Sequence, residues 1–289
     1  MPRSSQVAMD PASPGRVLVV DDDRVLRLAL TRILAQSYTV VEAVDGDSAL
    51  ARLETEHFDL VLLDIGLPGL SGLDVLARLG GNGTRPRVVV MTADDTPERL
   101  LRAIRNQAFD YIVKPFPPTA ILDVVAKALA ASEDSLAIQV LSARPDWVEL
   151  VVPCSLEVAD RLQGFMMRLD AELPEDVRES LGMAFRELLC NAIEWGGRLD
   201  PSRHVRIACL RTKRMILYRI ADPGQGFQLA ELPHSAISNS PDRPLDHAAV
   251  REQLGIRAGG FGIFLVREMV DELLYNEAHN EVVFVKYLD

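Results

Sequence analysis

The sequence predicts an α/β doubly wound domain with a five-stranded parallel sheet, followed by an α+β sandwich. The first half alternates short β-branched apolar runs strictly with helical patterns, which is the signature of strands joined by crossover helices. In the second half this alternation gives way to grouped helices and a strand pair. At 289 residues the chain has room for two such modules.

In the first half, "RVLVVD" precedes a helix from Arg24 to Gln36, "YTVVEA" a helix from Asp47, and "FDLVLLD" a helix from Leu73. "RVVVMT" then leads into a helix from about Pro97, and "DYIVK" into a last helix from Pro118. The expected module spans residues 16–131, behind a disordered leader of residues 1–15. The polar start and late proline of "ASEDSLAIQVLSARPD" predict a linker over 132–146.

From 147 to 289 the second module begins with the strand "WVELVVP". Helices are expected over "SLEVADRLQGFMMRLDAEL" and "EDVRESLGMAFRELLCNAIEWG", each opened by Ser or acidic residues. The strands "HVRIACLRT" and "RMILYRIAD" are joined by a short basic turn, and a long polar stretch comes next. The helix of "RAGGFGIFLVREMVDEL" and a final strand "EVVFVKYLD" complete the module.

Composition limits the function. The 31 Lys and Arg against 42 Asp and Glu give a net charge of −11, with no basic patch, so nucleic acid is not an expected partner. Cys154, Cys190 and Cys209 are far apart and lie in or beside apolar segments, as buried thiols in a reducing compartment do. No apolar run reaches the roughly 20 residues of a membrane span, and the leader has no apolar core; the expectation is a cytoplasmic protein without a membrane partner.

In a doubly wound sheet the ligand site lies beyond the carboxyl ends of the strands. Asp21 and Asp22 close the first strand here, Asp64 the third, Thr92 the fourth and Lys114 the fifth. One such residue is most simply a solvated loop-end charge. Together, three converging carboxylates repel one another unless a hard cation such as Mg²⁺ sits among them, and Thr92 and Lys114 could bind the oxygens of a phosphoryl group.

The segments "VLVVDDD", "DLVLLDIGLPGLSGLDVL", "VVVMTA" and "DYIVKPF" resemble the receiver domain of two-component response regulators over the whole module. The resemblance implies Asp64 as phosphoacceptor, Asp21 and Asp22 as Mg²⁺ ligands, and Thr92 and Lys114 as phosphate contacts. It also implies Tyr111 as an aromatic switch read together with Thr92, although a purely packing role also fits a buried tyrosine. Gly66 stands where many relatives carry a larger residue, at a position that binds the metal through its backbone carbonyl.

Three features mark the second module. Glu187 and Asn191 stand four residues apart and share a helix face, as a general base and an Mg²⁺-binding amide can; an ordinary polar face would look the same. "DPGQGF" puts Asp222, able to accept from an exocyclic amine, beside Gly224 and Gly226, which permit a close bend. Gly259, Gly260 and Gly262 open a helix, a place where backbone N–H groups can approach phosphate; each of these strings alone also fits a plain turn.

In this order they resemble the N box and two glycine boxes of the GHKL ATPase superfamily, which binds Mg·ATP in an α+β sandwich. The glycine loop would then wrap the phosphates, with Arg257 as a γ-phosphate contact, and residues 234–256 would form a lid. "ELLCNAIEWG" and "GGFGIFLVREMVDELLYNEAHNEVVFVKYL" look most like anti-sigma-factor serine kinases used in partner switching. Relatives often carry Glu-His-Gly where this chain has Glu194, Trp195 and Gly196.

The combined expectation is a response regulator, phosphorylated on Asp64 by an upstream histidine kinase and coupled to homodimerisation. Its ATP-binding output domain would act as an ATPase or serine/threonine kinase on a partner. The alternative is a module that captures a sigma factor or anti-sigma antagonist without turning ATP over. None of His57, His204, His234, His247 or His279 lies in a helical hairpin just before the second module, so autophosphorylation on histidine is not expected.

Overall fold

A computed structural model describes residues 14–79, 85–93, 96–131, 138–226 and 262–288. The chain divides into two compact units, residues 1–94 with 108–130, and residues 95–107 with 131–289.

The elements alternate as expected: β1 (Arg16–Val20), α1 (Arg24–Leu34), β2 (Thr39–Ala43), α2 (Gly46–Thr55), β3 (Leu60–Asp64), α3 (Gly72–Arg78), β4 (Arg87–Thr92), α4 (Pro97–Arg105), β5 (Asp110–Val113) and α5 (Pro118–Ala130). The division places α4 with the second unit. All five strands pair in parallel in the order β2-β1-β3-β4-β5. Central β3, "LVLLD", is buried at every position, as a strand covered on both faces must be. Polar caps start the helices: Asp23 accepts from Val25 N at 2.7 Å at the head of α1, and Asp45 and Ser48 form a reciprocal capping box on α2.

The second unit holds a six-stranded antiparallel sheet in the order β10-β11-β9-β8-β7-β6. Its elements are β6 (Gln139–Ala143), β7 (Trp147–Pro153), α6 (Leu156–Leu169), α7 (Glu175–Asn191), β8 (His204–Arg211), β9 (Met215–Ala221), α8 (Gly262–Met269), β10 (Glu272–Tyr275) and β11 (Glu281–Tyr287). Period-two burial along β9 turns Ile216, Tyr218 and Ile220 inward. Tyr218 stacks on Phe284 at 4.9 Å and meets Phe185 of α7 at 5.1 Å. The Tyr218 hydroxyl donates to buried Asp170 at 3.2 Å, and Arg211 pairs with the same carboxylate. All three cysteines are free and buried.

Three expectations need correction. The segment expected as linker contains β6, because Val140 and Ala143 face β7 across a register shift that breaks simple alternation. The sequence pattern carries the last helix to Leu273, but the helix ends at Met269. Asp271 N already bonds Val285 O at 2.9 Å and its carboxylate accepts from Tyr287 N at 2.6 Å, which turns Glu272–Tyr275 into β10. The helix expected through Gly196 changes to a π-helical turn over Ala192–Gly196, a geometry often found beside functional sites.

Candidate functional site

In the first unit, parallel strands ending on one edge bring the predicted residues together. Lys114 Nζ lies 2.6 Å from Asp21 Oδ2 and 3.0 Å from Asp64 Oδ2. Carboxylate oxygens of Asp21, Asp22 and Asp64 lie within 4.8 Å of one another. Asp21 is fully buried, and burial pushes its carboxyl up despite the pull of Lys114. Burial alone would lower the Lys114 ammonium, but its hydrogen bonds and charge contacts with the two aspartates outweigh that and raise it.

Asp64 Oδ1 accepts from Gly66 N at 3.1 Å. A Cβ on Gly66 would meet the Asp64 carboxylate at 3.5 Å, ordinary contact, so the missing side chain leaves the cluster intact. Thr92 and Tyr111 are 1% exposed, and Thr92 O accepts from Lys114 N at 2.6 Å. Two supports have no sequence signal. A Cβ on Gly72 would fall 2.0 Å from Asp64 O, and Arg27 reaches back from α1 to donate to Asp21 O at 2.7 Å.

In the second unit Glu187, Asn191, Asp222, Gly224, Gly226 and Gly262 line one cavity of 510 Å³. Glu187 and Asn191 lie one turn apart on α7, and α8 starts so close that a Cβ on Gly262 would fall 1.9 Å from Glu187 Oε1. Strand register sets an apolar row of Ile220, Val282 and Tyr275 across β9, β11 and β10, all three lining the cavity. Asp222 comes directly after β9; its Oδ1 accepts from Gly224 N at 2.7 Å, and burial raises its carboxyl.

Gly226 has φ +84, and its Cα approaches Ala278 O so closely that any side chain would collide. Trp195, 40% exposed and standing where relatives often carry His, lines the cavity, as does Arg203, which no motif announced. Gly259, Gly260 and Arg257 lie outside the described residues.

The response regulator receiver domain model matches residues 17–126, and the histidine kinase-like ATPase domain model matches residues 155–286. The chain joins a receiver domain to a histidine kinase-like ATPase domain. The receiver domain is 40% identical over 113 residues to the response regulator protein FleR of Pseudomonas aeruginosa, covering 39% of this chain and 24% of the relative. It is 38% identical over 102 residues to the two-component response regulator PhoP of the same organism, covering 35% and 45%. The chain thus spans less than half the length of these two relatives. A solved structure of the response regulator protein TrrA from Thermotoga maritima, in complex with Mg²⁺ and BeF, matches at 32% identity with a TM-score of 0.37, covering 40% of this chain and 99% of that one.

The ATPase domain match begins after β7, so β6 and β7 extend its sheet on the amino-terminal side. Among the described residues no helix is long and apolar enough to cross a membrane.

Proposed function

We propose that the chain is a cytoplasmic response regulator in which phosphorylation of Asp64 controls an ATP-binding output domain, acting as an ATPase or serine/threonine kinase in partner switching. The observation that carries this reading is the meeting of Glu187, Asn191, Asp222 and Gly262 around one cavity, although 75 residues separate the first from the last. Glu187 takes the proton of an attacking water or hydroxyl, and Asp222 accepts from the exocyclic amine of adenine. The apolar row beneath accommodates the base.

In the receiver domain, Asp64 accepts the phosphoryl group from the upstream kinase and Lys114 pairs with its oxygens. Thr92 and Tyr111 carry the change onward, with a shift in homodimerisation. The oxygen donors suit a hard cation: Asp21, Asp22, Asp64 and the Gly66 carbonyl would hold Mg²⁺ there, and Asn191 would hold the ion that arrives with ATP. When bound, the ion neutralises carboxylate and phosphate charge. By the GHKL resemblance the loop of Gly259, Gly260 and Gly262 would wrap the phosphates, with Arg257 as a γ-phosphate contact. The protein partner is a sigma factor or an anti-sigma antagonist, and the acidic charge of −11 argues against nucleic acid.

Trp195 in place of the histidine common in relatives favours a second reading, a module that binds ATP and captures its partner without turnover. ADP release from Mg·ATP by the full chain, with and without beryllofluoride, separates the two. A kinase or ATPase gives release that Glu187→Ala lowers by about 100-fold. ATP binding with release equal to that variant, even when the protein partner is supplied, supports the capture module. Glu187→Ala that leaves release unchanged removes the assigned base.

A further inference from the structure

The Asp222 carboxylate, which recognises the base in the proposed function, is held lightly. Oδ1 accepts from Gly224 N at 2.7 Å, while Oδ2 has no hydrogen-bond partner among the described residues. Its position is set by two turns pressed against it. A Cβ on Gly196 would fall 2.1 Å from Oδ1, and one on Gly224 would fall 2.7 Å from the same atom.

One side chain bonds to both turns. Arg203 donates from Nη2 to Pro223 O at 2.6 Å and from Nη1, at a long 3.5 Å, to Gly197 O. Its own backbone is anchored: Arg203 N bonds Asp200 O at 2.9 Å, and Arg203 O accepts from Cys154 N at 3.0 Å. Asn280 Nδ2, donating to Gly224 O at 3.0 Å, secures the second turn but not the first.

We propose, resting on the nucleotide-binding reading of this cavity, that Arg203 is its positioning residue for base recognition: the guanidinium ties the turns that flank Asp222 and so fixes the carboxylate for an exocyclic amine. The planar guanidinium suits this task because its donors point in divergent directions, which a lysine ammonium on a flexible stem does not reproduce. Its positive charge also counters the burial that pushes Asp222 towards its protonated form, which could not accept with the same strength. The arrangement selects adenine over hypoxanthine. The inosine base presents a carbonyl oxygen where adenine presents an amine, leaving two acceptors facing each other.

Calorimetric titration of the full chain with Mg·ATP and Mg·ITP tests this. Wild type is expected to prefer ATP by at least about tenfold. Arg203→Ala should weaken ATP about tenfold and leave ITP within about twofold, so that the preference collapses. Arg203→Lys should recover part of it. Arg203→Met keeps the aliphatic stem, and serves if the alanine variant does not fold.

Folded variants that retain the ATP preference overturn the proposal, as does equal weakening of both nucleotides, the mark of a merely structural role. Those outcomes leave the nucleotide-binding reading standing. A wild type that binds neither nucleotide overturns that reading and this one together.

Discussion

Asp21 shows how a residue can serve a site at the expense of the fold. It lies against the charges of Lys114 and Asp64 yet is shut away from water, and burial is the largest influence on its carboxyl. A carboxyl raised above its unfolded value takes up a proton more readily when folded. Its contribution to stability is therefore gained as pH falls through the folded value and absent above it. At pH 7.5 without divalent cations, Asp21→Asn is expected to raise the Tm by about 2–4 °C, read by calorimetry. A lower Tm would mean that the Lys114 pairing outweighs burial. The strand-end cluster was legible in the sequence because a parallel sheet ends its strands on one edge, so position alone gathers Asp21, Asp64, Thr92 and Lys114. Arg27 and Gly72 were not legible. One looks like any helical arginine and the other like any turn glycine, and only tertiary packing brings each to its aspartate.

At the scale of elements, the loop after β1 links a cap to a site. Asp23 N donates to Asp21 Oδ1 at 2.9 Å while the Asp23 side chain caps α1. Asp23→Ala should cost about 1 kcal/mol, measured by urea unfolding, with the Asp21 bond retained because it uses the backbone. No change in the unfolding midpoint would show that solvent replaces the cap. Elements with a clean period were readable: five parallel strands, and the antiparallel pair β8 and β9. Of those missed, β10 and the π-helical turn share one physical cause, a change of period inside a continuous apolar run, whereas β6 was hidden by its register shift. Leu273 and Leu274 continue the pattern of α8, and only the bonds of Asp271 to β11 end the helix. The π-helical turn is likewise silent in the sequence, since Ala192 and Ile193 suit either geometry.

For the whole molecule, the central expectation is coupling between two chemically unlike sites. If the receiver domain gates the ATPase domain, beryllofluoride should change ADP release at least about fivefold, in the range of ordinary allosteric free energies. Equal rates in both states would leave two modules sharing a chain without regulation. The two domains also differ in their chromophores. Both tryptophans, Trp147 and Trp195, lie in the second half of the sequence, and Trp195 lines the cavity. Excitation at the red edge of the indole band therefore reports from the ATPase domain alone. Quenching on addition of ATP gives a label-free binding isotherm, and an emission change on addition of beryllofluoride is an optical trace of the signal arriving at a fluorophore that the receiver domain does not possess.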